Sequence, residues 1–309
     1  MSKLLTVVGA TGNQGGSIIA TVLGHPQLSK TYRIRAITRD VLKPAAVVLK
    51  EQGIEVVTAD LRDEKSVFKA IEGSSVVFGV TNFWESSSKD IEVKHGKNIV
   101  DASKAANVDR LIWSSLVHVT KTTGGKVSTV HHFDGKAEVE EYARSVGVPG
   151  SYYLPAAFMS GILNAFQKSD NGAYALNLPF APNVKIPLID AAHDTGLFVA
   201  AILLNLQETL NRRILGTSGY LTASQLVEDF EAATGQKAKL NTLPIDTWAT
   251  FLPEGSRDEL KGNFQFIVAP GYYAGEPADA VDKSLDLLAV SGLRKPISWK
   301  DYVAKHFKA

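Results

Sequence analysis

LLTVVGATGNQGG, running from Leu4 to Gly16, is the stretch whose reading decides the fold. Residues 4–8 are apolar and β-prone, as a buried strand requires, and a helical periodicity is expected over 14–23. Between them Gly9, Gly12 and Gly15 fall three residues apart. Glycine there permits a positive φ in a tight turn, lets the backbone approach a pyrophosphate, and lets the helix pack closely on the strand. The helix's first amides have no intrahelical acceptor and point at whatever anion sits in the turn. Ala10 and Thr11 complete the turn, and Asn13 and Gln14 can add side-chain hydrogen bonds to phosphate. Three glycines alone would also suit a merely structural strand-to-helix turn; their position between a strand and a helix at the head of a βα series favours a nucleotide.

That series continues. Strands are expected at 32–38, 54–58, 75–80, 110–115 and 151–154, and helices at 63–71, 91–106 and 134–145. Alternation of this kind gives an α/β fold with a doubly wound parallel sheet. Residues 120–129, with Gly124 and Gly125, read as a mobile loop. Beyond 154 the rhythm weakens and Pro155, Pro179, Pro182 and Pro187 punctuate the chain. Residues 1–154 are therefore expected to form the nucleotide-binding domain. Residues 155–309 would form mainly a smaller C-terminal substrate or partner region, with helices near 195–206 and 223–234 and some segments returning to the first domain.

The adenosine end is legible at the close of the second strand, where the chain reads Thr38, Arg39, Asp40. An NAD-preferring site places a carboxylate there for the ribose hydroxyls. Arg39 instead offers a guanidinium fork to a 2′-phosphate, assisted by Thr38 or Lys43, so NADP(H) is the expected cofactor. The alternative is an ordinary surface ion pair between Arg39 and Asp40. Asp60 and Leu61 close the third strand, where the adenine would lie.

Composition excludes several other classes. The 33 Lys and Arg balance the 32 Asp and Glu to a net charge of +1, which gives no general attraction to nucleic acid. Cysteine is absent, so disulfides, thiolate metal sites and cysteine nucleophiles are excluded. The seven histidines are scattered, and the pair His131–His132 lacks the spacing of a zinc site, so no metal is assigned. With no signal-peptide pattern and no apolar run of the ~18 residues that a membrane span takes, the expected location is the cytoplasm.

Five blocks carry a family resemblance: VVGATGNQGG at 7–16, TRD at 38–40, TNFWES at 81–86, EVKHGKNIVDA at 92–102 and HFDGKAEVEEY at 132–142. Together they resemble the NmrA-like group of atypical short-chain dehydrogenases, in particular its NADPH-sensing members. The resemblance implies a Rossmann domain, a small α/β second domain, and NADP in the cleft between them. By the family pattern the cofactor would be lined by residues 9–15, Arg39, Asp60, Thr81, Asn82, Phe83, Lys94, Lys136, Pro155, Ala156, Ala157 and Phe158.

Typical short-chain dehydrogenases carry a serine at the end of strand five, a tyrosine acid/base and a lysine four residues later. Ser115 and Lys136 match, but His132 stands at the tyrosine position. Imidazole or a lysine amine can still donate a proton near neutral pH, which keeps His132, Lys136 and Ser115 as catalytic candidates. In the alternative reading, Lys136 only bonds the nicotinamide ribose and His132 packs at the start of a helix. Two functions therefore stand at this point. One is a redox sensor or regulator that reports NADPH and NADP through a protein partner. The other is an NADPH-dependent reductase of an unsaturated, imine or carbonyl metabolite bound in the cleft.

Overall fold

The computed structural model describes residues 2–170 and 172–308. Its centre is a parallel sheet of seven strands: β1 (Lys3–Val8), β2 (Tyr32–Thr38), β3 (Glu55–Thr58), β4 (Val76–Gly79), β5 (Arg110–Ser114), β6 (Gly150–Pro155) and β7 (Arg213–Gly216). Their order is β7-β6-β5-β4-β1-β2-β3. Strands covered on both faces by helices are mainly apolar, and β4, β5 and β6 are buried at every residue, Arg110 and Ser151 pairing with each other inside the sheet. From β1 the chain winds outward through β2 to β3, then crosses back to β4 on the other side of β1. This reversal leaves a crevice at the carboxyl ends of β1 and β4, the usual ligand position in an open α/β sheet.

The helix Asn13–Gly24 follows β1 and packs against Thr195–Leu204, a helix apolar on all sides and therefore buried. The Gly196 amide donates to Ser17 Oγ at 2.9 Å, and a Cβ at Gly196 would collide with the Ser17 carbonyl. A second helical layer is formed by Glu64–Ile71, Lys89–Ala105 and His131–Ser145. There Gly96 lets two helices meet, since a Cβ on it would overlap Val139.

Parts of the C-terminal half return to this framework. Strand β7 extends the sheet beside β6, and the helix Ala280–Val290 backs it, with Ser284 Oγ accepting from the Leu215 amide at 2.9 Å. The rest forms two three-stranded sheets: Ala157–Phe158 with Lys185–Ile189 and Tyr220–Thr222, and Phe166–Lys168 with Tyr174–Leu178 and Ala238–Thr242. The helix Ala223–Thr234 opens on a capping box of Thr222 and Gln225 and closes on left-handed Gly235. Trp299, opening the helix Trp299–His306, anchors to it through a bond from Nε1 to the Leu226 carbonyl at 3.0 Å.

The structure departs locally from the sequence-based expectations. The helix anticipated from 134 begins at His131, which draws His132 into its first turn. Residues 120–129 are more fastened than a mobile loop. They start in the helical turn Val119–Thr122, and Asp134 accepts from both the amide and the hydroxyl of Thr120. His118 lies 3.1 Å from Asp134 with its side chain 12% exposed. Those bonds outweigh the burial that would raise the Asp134 pKa and hold it below the ordinary carboxylate value.

Candidate functional site

At the crevice, Gly9 takes φ +66°, a left-handed turn that places it 3.0 Å, measured from an added Cβ, from Val80 Cγ1. Its carbonyl accepts the Gly12 amide at 2.9 Å, and the Gly12 carbonyl accepts that of Gly16 at 2.8 Å. A Cβ on Gly15 would overlap the Gly9 carbonyl and stand 2.8 Å from Ala10 Cα, so only glycine lets the helix start this close to β1. Thr11, Gly12 and Asn13 are exposed, and Ala10 is buried beneath them. Gln14 Oε1 accepts from Ser114 Oγ at 2.9 Å, which ties the helix start to the end of β5. The result is a fixed, backbone-lined concavity at a helix N-terminus, suited to an anion.

The rim beyond β2 and β3 is built from side chains. Thr38 is buried at the end of β2. Arg39 projects into solvent, 63% exposed, and its Nη1 pairs with Glu85 Oε2 at 2.6 Å instead of with Asp40. Asp40 accepts the Leu42 amide at 2.8 Å, and Lys43 stands exposed at the N-cap of the helix Pro44–Glu51. Hydrogen bonds from the Arg62 side chain and amide hold the Asp60 carboxyl down at about 2. The Leu61 carbonyl accepts from Asn98 Nδ2 at 2.8 Å, fastening this corner to the helix Lys89–Ala105.

Beyond β4 the candidate groups separate into distinct clusters. Lys136 Nζ donates to the Thr81 carbonyl at 2.9 Å, to Thr81 Oγ1 at 3.2 Å and to Glu92 Oε1, to which Thr81 Oγ1 also donates at 2.7 Å. Glu92 is buried. Asn82 Nδ2 donates to Glu85 Oε1 at 3.0 Å, and Phe83 is buried edge-on to Trp84. His132 leans on this pair, its ring 5.3 Å from that of Trp84, with Nδ1 bound to Glu259 Oε1. Glu259 belongs to the helix Arg257–Val268, which no sequence pattern had marked.

Ser115 is not with them. Its hydroxyl donates at 2.6 Å to buried Glu140, which also receives Arg144 and Arg213. Burial opposes the charge on Arg213, yet Glu140 and Glu276 together raise its pKa. Lys94 is likewise remote, lining an outer groove of about 370 Å³ with Glu64, Asp101 and Glu138. Pro155 and Ala156 are buried at the end of β6, and Ala157–Phe158 pairs with Leu188–Ile189. The Pro155 carbonyl accepts from Tyr272 Oη at 3.1 Å, and the Leu154 carbonyl from Tyr273 Oη at 3.0 Å. Both tyrosines border a cavity of about 500 Å³ that also touches Lys185 and Tyr220. Burial pushes both phenols up and their protons are committed to backbone carbonyls, so neither replaces the tyrosine absent from position 132.

The carboxylates Glu92, Glu140 and Glu259 were missed by sequence reasoning. Glu92 and Glu140 do lie inside the blocks that carry the resemblance, but nothing local says which cation each one meets. Among the described residues no helix is long and apolar enough to cross a membrane.

Comparisons with known proteins give both relatives in sequence and neighbours in fold. The chain is 32% identical to the NmrA-like family domain-containing oxidoreductase ptmS of Penicillium ochrochloron, over 93% of this chain and 91% of that protein. It is 30% identical to the NmrA-like family domain-containing oxidoreductase FrzB of a Cladobotryum species, over 99% of both. Among solved structures it superposes on NmrA, a negative transcriptional regulator, in complex with NADP, with a TM-score of 0.81 and 21% identity over 99% of this chain and 95% of that one. Triphenylmethane reductase of Citrobacter sp. complexed with NADP(H) gives a TM-score of 0.76 at 20% identity, over 98% and 100%. The model of the NmrA-like family matches residues 1–303, and the chain belongs to that family.

Proposed function

We propose that this chain binds NADP(H) across the carboxyl ends of β1, β2 and β4 and works as a redox sensor that passes cofactor occupancy to a protein partner. The pyrophosphate would rest on residues 9–15, the 2′-phosphate on Arg39 with Thr38 and Lys43, and the adenine beside Asp60 and Leu61. The nicotinamide end would meet Thr81, Asn82, Phe83, Lys136 and the segment Pro155, Ala156, Ala157, Phe158. The observation that carries the sensor reading is the state of the proton donors. Lys136, His132 and Ser115 are each engaged by a separate carboxylate, Glu92, Glu259 and Glu140, and do not converge on one reacting atom.

A second reading is favoured by Lys136 itself, a buried lysine at the crevice, and by relatives named as oxidoreductases. In a reductase, hydride would leave the dihydronicotinamide for an unsaturated, imine or carbonyl carbon, and Lys136 Nζ would supply the proton. The two readings part on a direct measurement. Purified protein is given NADPH with a panel of quinones, enones and imines while binding and NADPH absorbance are followed together. Saturable binding without consumption is the expected outcome. Steady consumption that Lys136→Met abolishes, with binding retained, would overturn the sensor and establish the reductase.

A further inference from the structure

Two potential ligands three residues apart meet a third from the far end of the chain. Asp190 follows the strand Lys185–Ile189, His193 lies one turn later, and His306 ends the helix Trp299–His306. One donor atom from each lies within 4.8 Å of the other two. We infer that Asp190, His193 and His306 bind a divalent transition-metal ion, zinc by preference, which clips the C-terminal helix to the turn between Ile189 and Thr195.

The carboxylate is already positioned. Asp190 is 4% exposed, its Oδ1 accepts the Ala192 amide at 3.1 Å, and its Oδ2 lies 2.8 Å from His193 Nδ1. Its carbonyl accepts the amides of His193 and Asp194, so the turn is rigid before any ion arrives. The third donor supplies an independent sign. Nε2 of His306 is buried and lacks a hydrogen-bond partner, while the ring is held by stacking on Tyr302, with centroids 4.4 Å apart. A buried ring nitrogen without a partner calls for a water or an ion to complete it.

The donor set selects the metal. Two imidazoles and one carboxylate without thiolate suit zinc, which takes three such ligands and keeps a fourth position for water. The His193 side chain is 48% exposed, so that position opens to solvent. Zinc–nitrogen and zinc–oxygen bonds of about 2.0–2.2 Å place tetrahedral donors roughly 3.3 Å apart. The Asp190–His193 contact of 2.8 Å must therefore open slightly while His306 Nε2, which has no hydrogen-bond partner, approaches, and half-exposed His193 is the side chain with room to adjust. Arg294 does not occupy the site, because its Nη2 is paired with Asp194 at 2.8 Å.

The test uses the untagged full chain, stripped with a chelator and titrated with Co²⁺ and then Zn²⁺. Wild type should take up one equivalent of Co²⁺ with visible bands of tetrahedral type, which Zn²⁺ displaces, and Zn²⁺ should raise the melting temperature. His193→Ala, at a half-exposed position where circular dichroism should show the fold retained, should weaken binding by at least ~10- to 100-fold, the loss that removing even a ligand's outer partner brings. His306→Gln should behave alike, whereas His25→Ala should titrate as wild type. Equal titrations of wild type and His193→Ala, or no saturable uptake, would overturn the site and leave an Asp–His turn with water on His306. The NADPH experiment is independent of either result.

Discussion

The glycine loop and the polar rim around it face one crevice but are made in opposite ways. In the loop the groups open to a ligand are backbone amides, fixed by Gly9, Gly12 and Gly15 and by bonds spanning only a few residues. On the rim they are polar side chains, each held by a carboxylate distant in sequence: Arg39 by Glu85, Lys136 by Glu92, His132 by Glu259. A loop of that kind is preorganised and pays no rearrangement on binding. A ligand entering the rim would have to displace an internal partner, and on the proposed reading the segments carrying those carboxylates would then shift. On the proposed reading, affinity for a pyrophosphate would belong to the first region, and discrimination and signalling to the second.

Gly15→Ala tests the rigid half and has the largest expected effect. The new Cβ would overlap the Gly9 carbonyl and crowd Ala10 Cα, both of them backbone atoms, so relief requires the helix Asn13–Gly24 to lift off β1. Overpacking in a filled interior costs about 1–3 kcal/mol, and a clash with main chain belongs at the upper end. Chemical denaturation should show that loss, and calorimetry should find NADP and NAD binding both removed. A variant of wild-type stability that still binds either cofactor would break the comparison at its root.

Arg39→Ala acts on the rim alone. Loss of one charge-assisted contact is worth about 1.5–3 kcal/mol, or roughly 10- to 100-fold in affinity. The loss should fall on NADP and NADPH and leave NAD nearly unchanged, as calorimetry on the three ligands would show. Equal weakening of NAD would move Arg39 from 2′-phosphate recognition to general support of the site. Stability should change little, since the ion pair it loses is exposed.

What the sequence made legible follows the same division. Strand, turn and helix of the glycine loop are coded by residues within a dozen positions of one another, and the helix start and β1 both appear within a residue or two of expectation. The five N-terminal sheet strands after β1 follow from their apolar runs. The seventh, Arg213–Gly216, does not, because four residues beside a buried edge carry no periodicity. Helices such as Arg257–Val268 were hidden by their mixed surfaces: their partners come from the other half of the chain, as Gly262 against Thr129 illustrates. Of the candidate site residues, Lys136 and Thr81 do come together, yet the carboxylate joining them was invisible. Ser115 matches a family position in sequence while its hydroxyl is turned to Glu140. A motif fixes the place of a backbone atom better than the direction of a side chain.

The smallest expected effect sharpens the contrast most. Glu85 holds Arg39 at 2.6 Å and also accepts from Asn82, so it competes with a 2′-phosphate for the same guanidinium. In Glu85→Gln the amide oxygen still accepts from Asn82, but the charge holding Arg39 is gone. The pair is 63% and 44% exposed, and such surface pairs contribute only about 0.2–1 kcal/mol. Its removal should therefore tighten NADP by no more than ~5-fold, with NAD as the unchanged control. Added salt screens the exposed pair in wild type, so the advantage of the variant should shrink as ionic strength rises. In the Arg39→Ala background the substitution should do nothing, because the two changes act through one contact. Should NADP affinity fall instead, Glu85 would be a member of the binding site and not its internal rival. The rim would then be as preorganised as the loop, and the segment Phe83–Glu85 would have no movement through which to report occupancy.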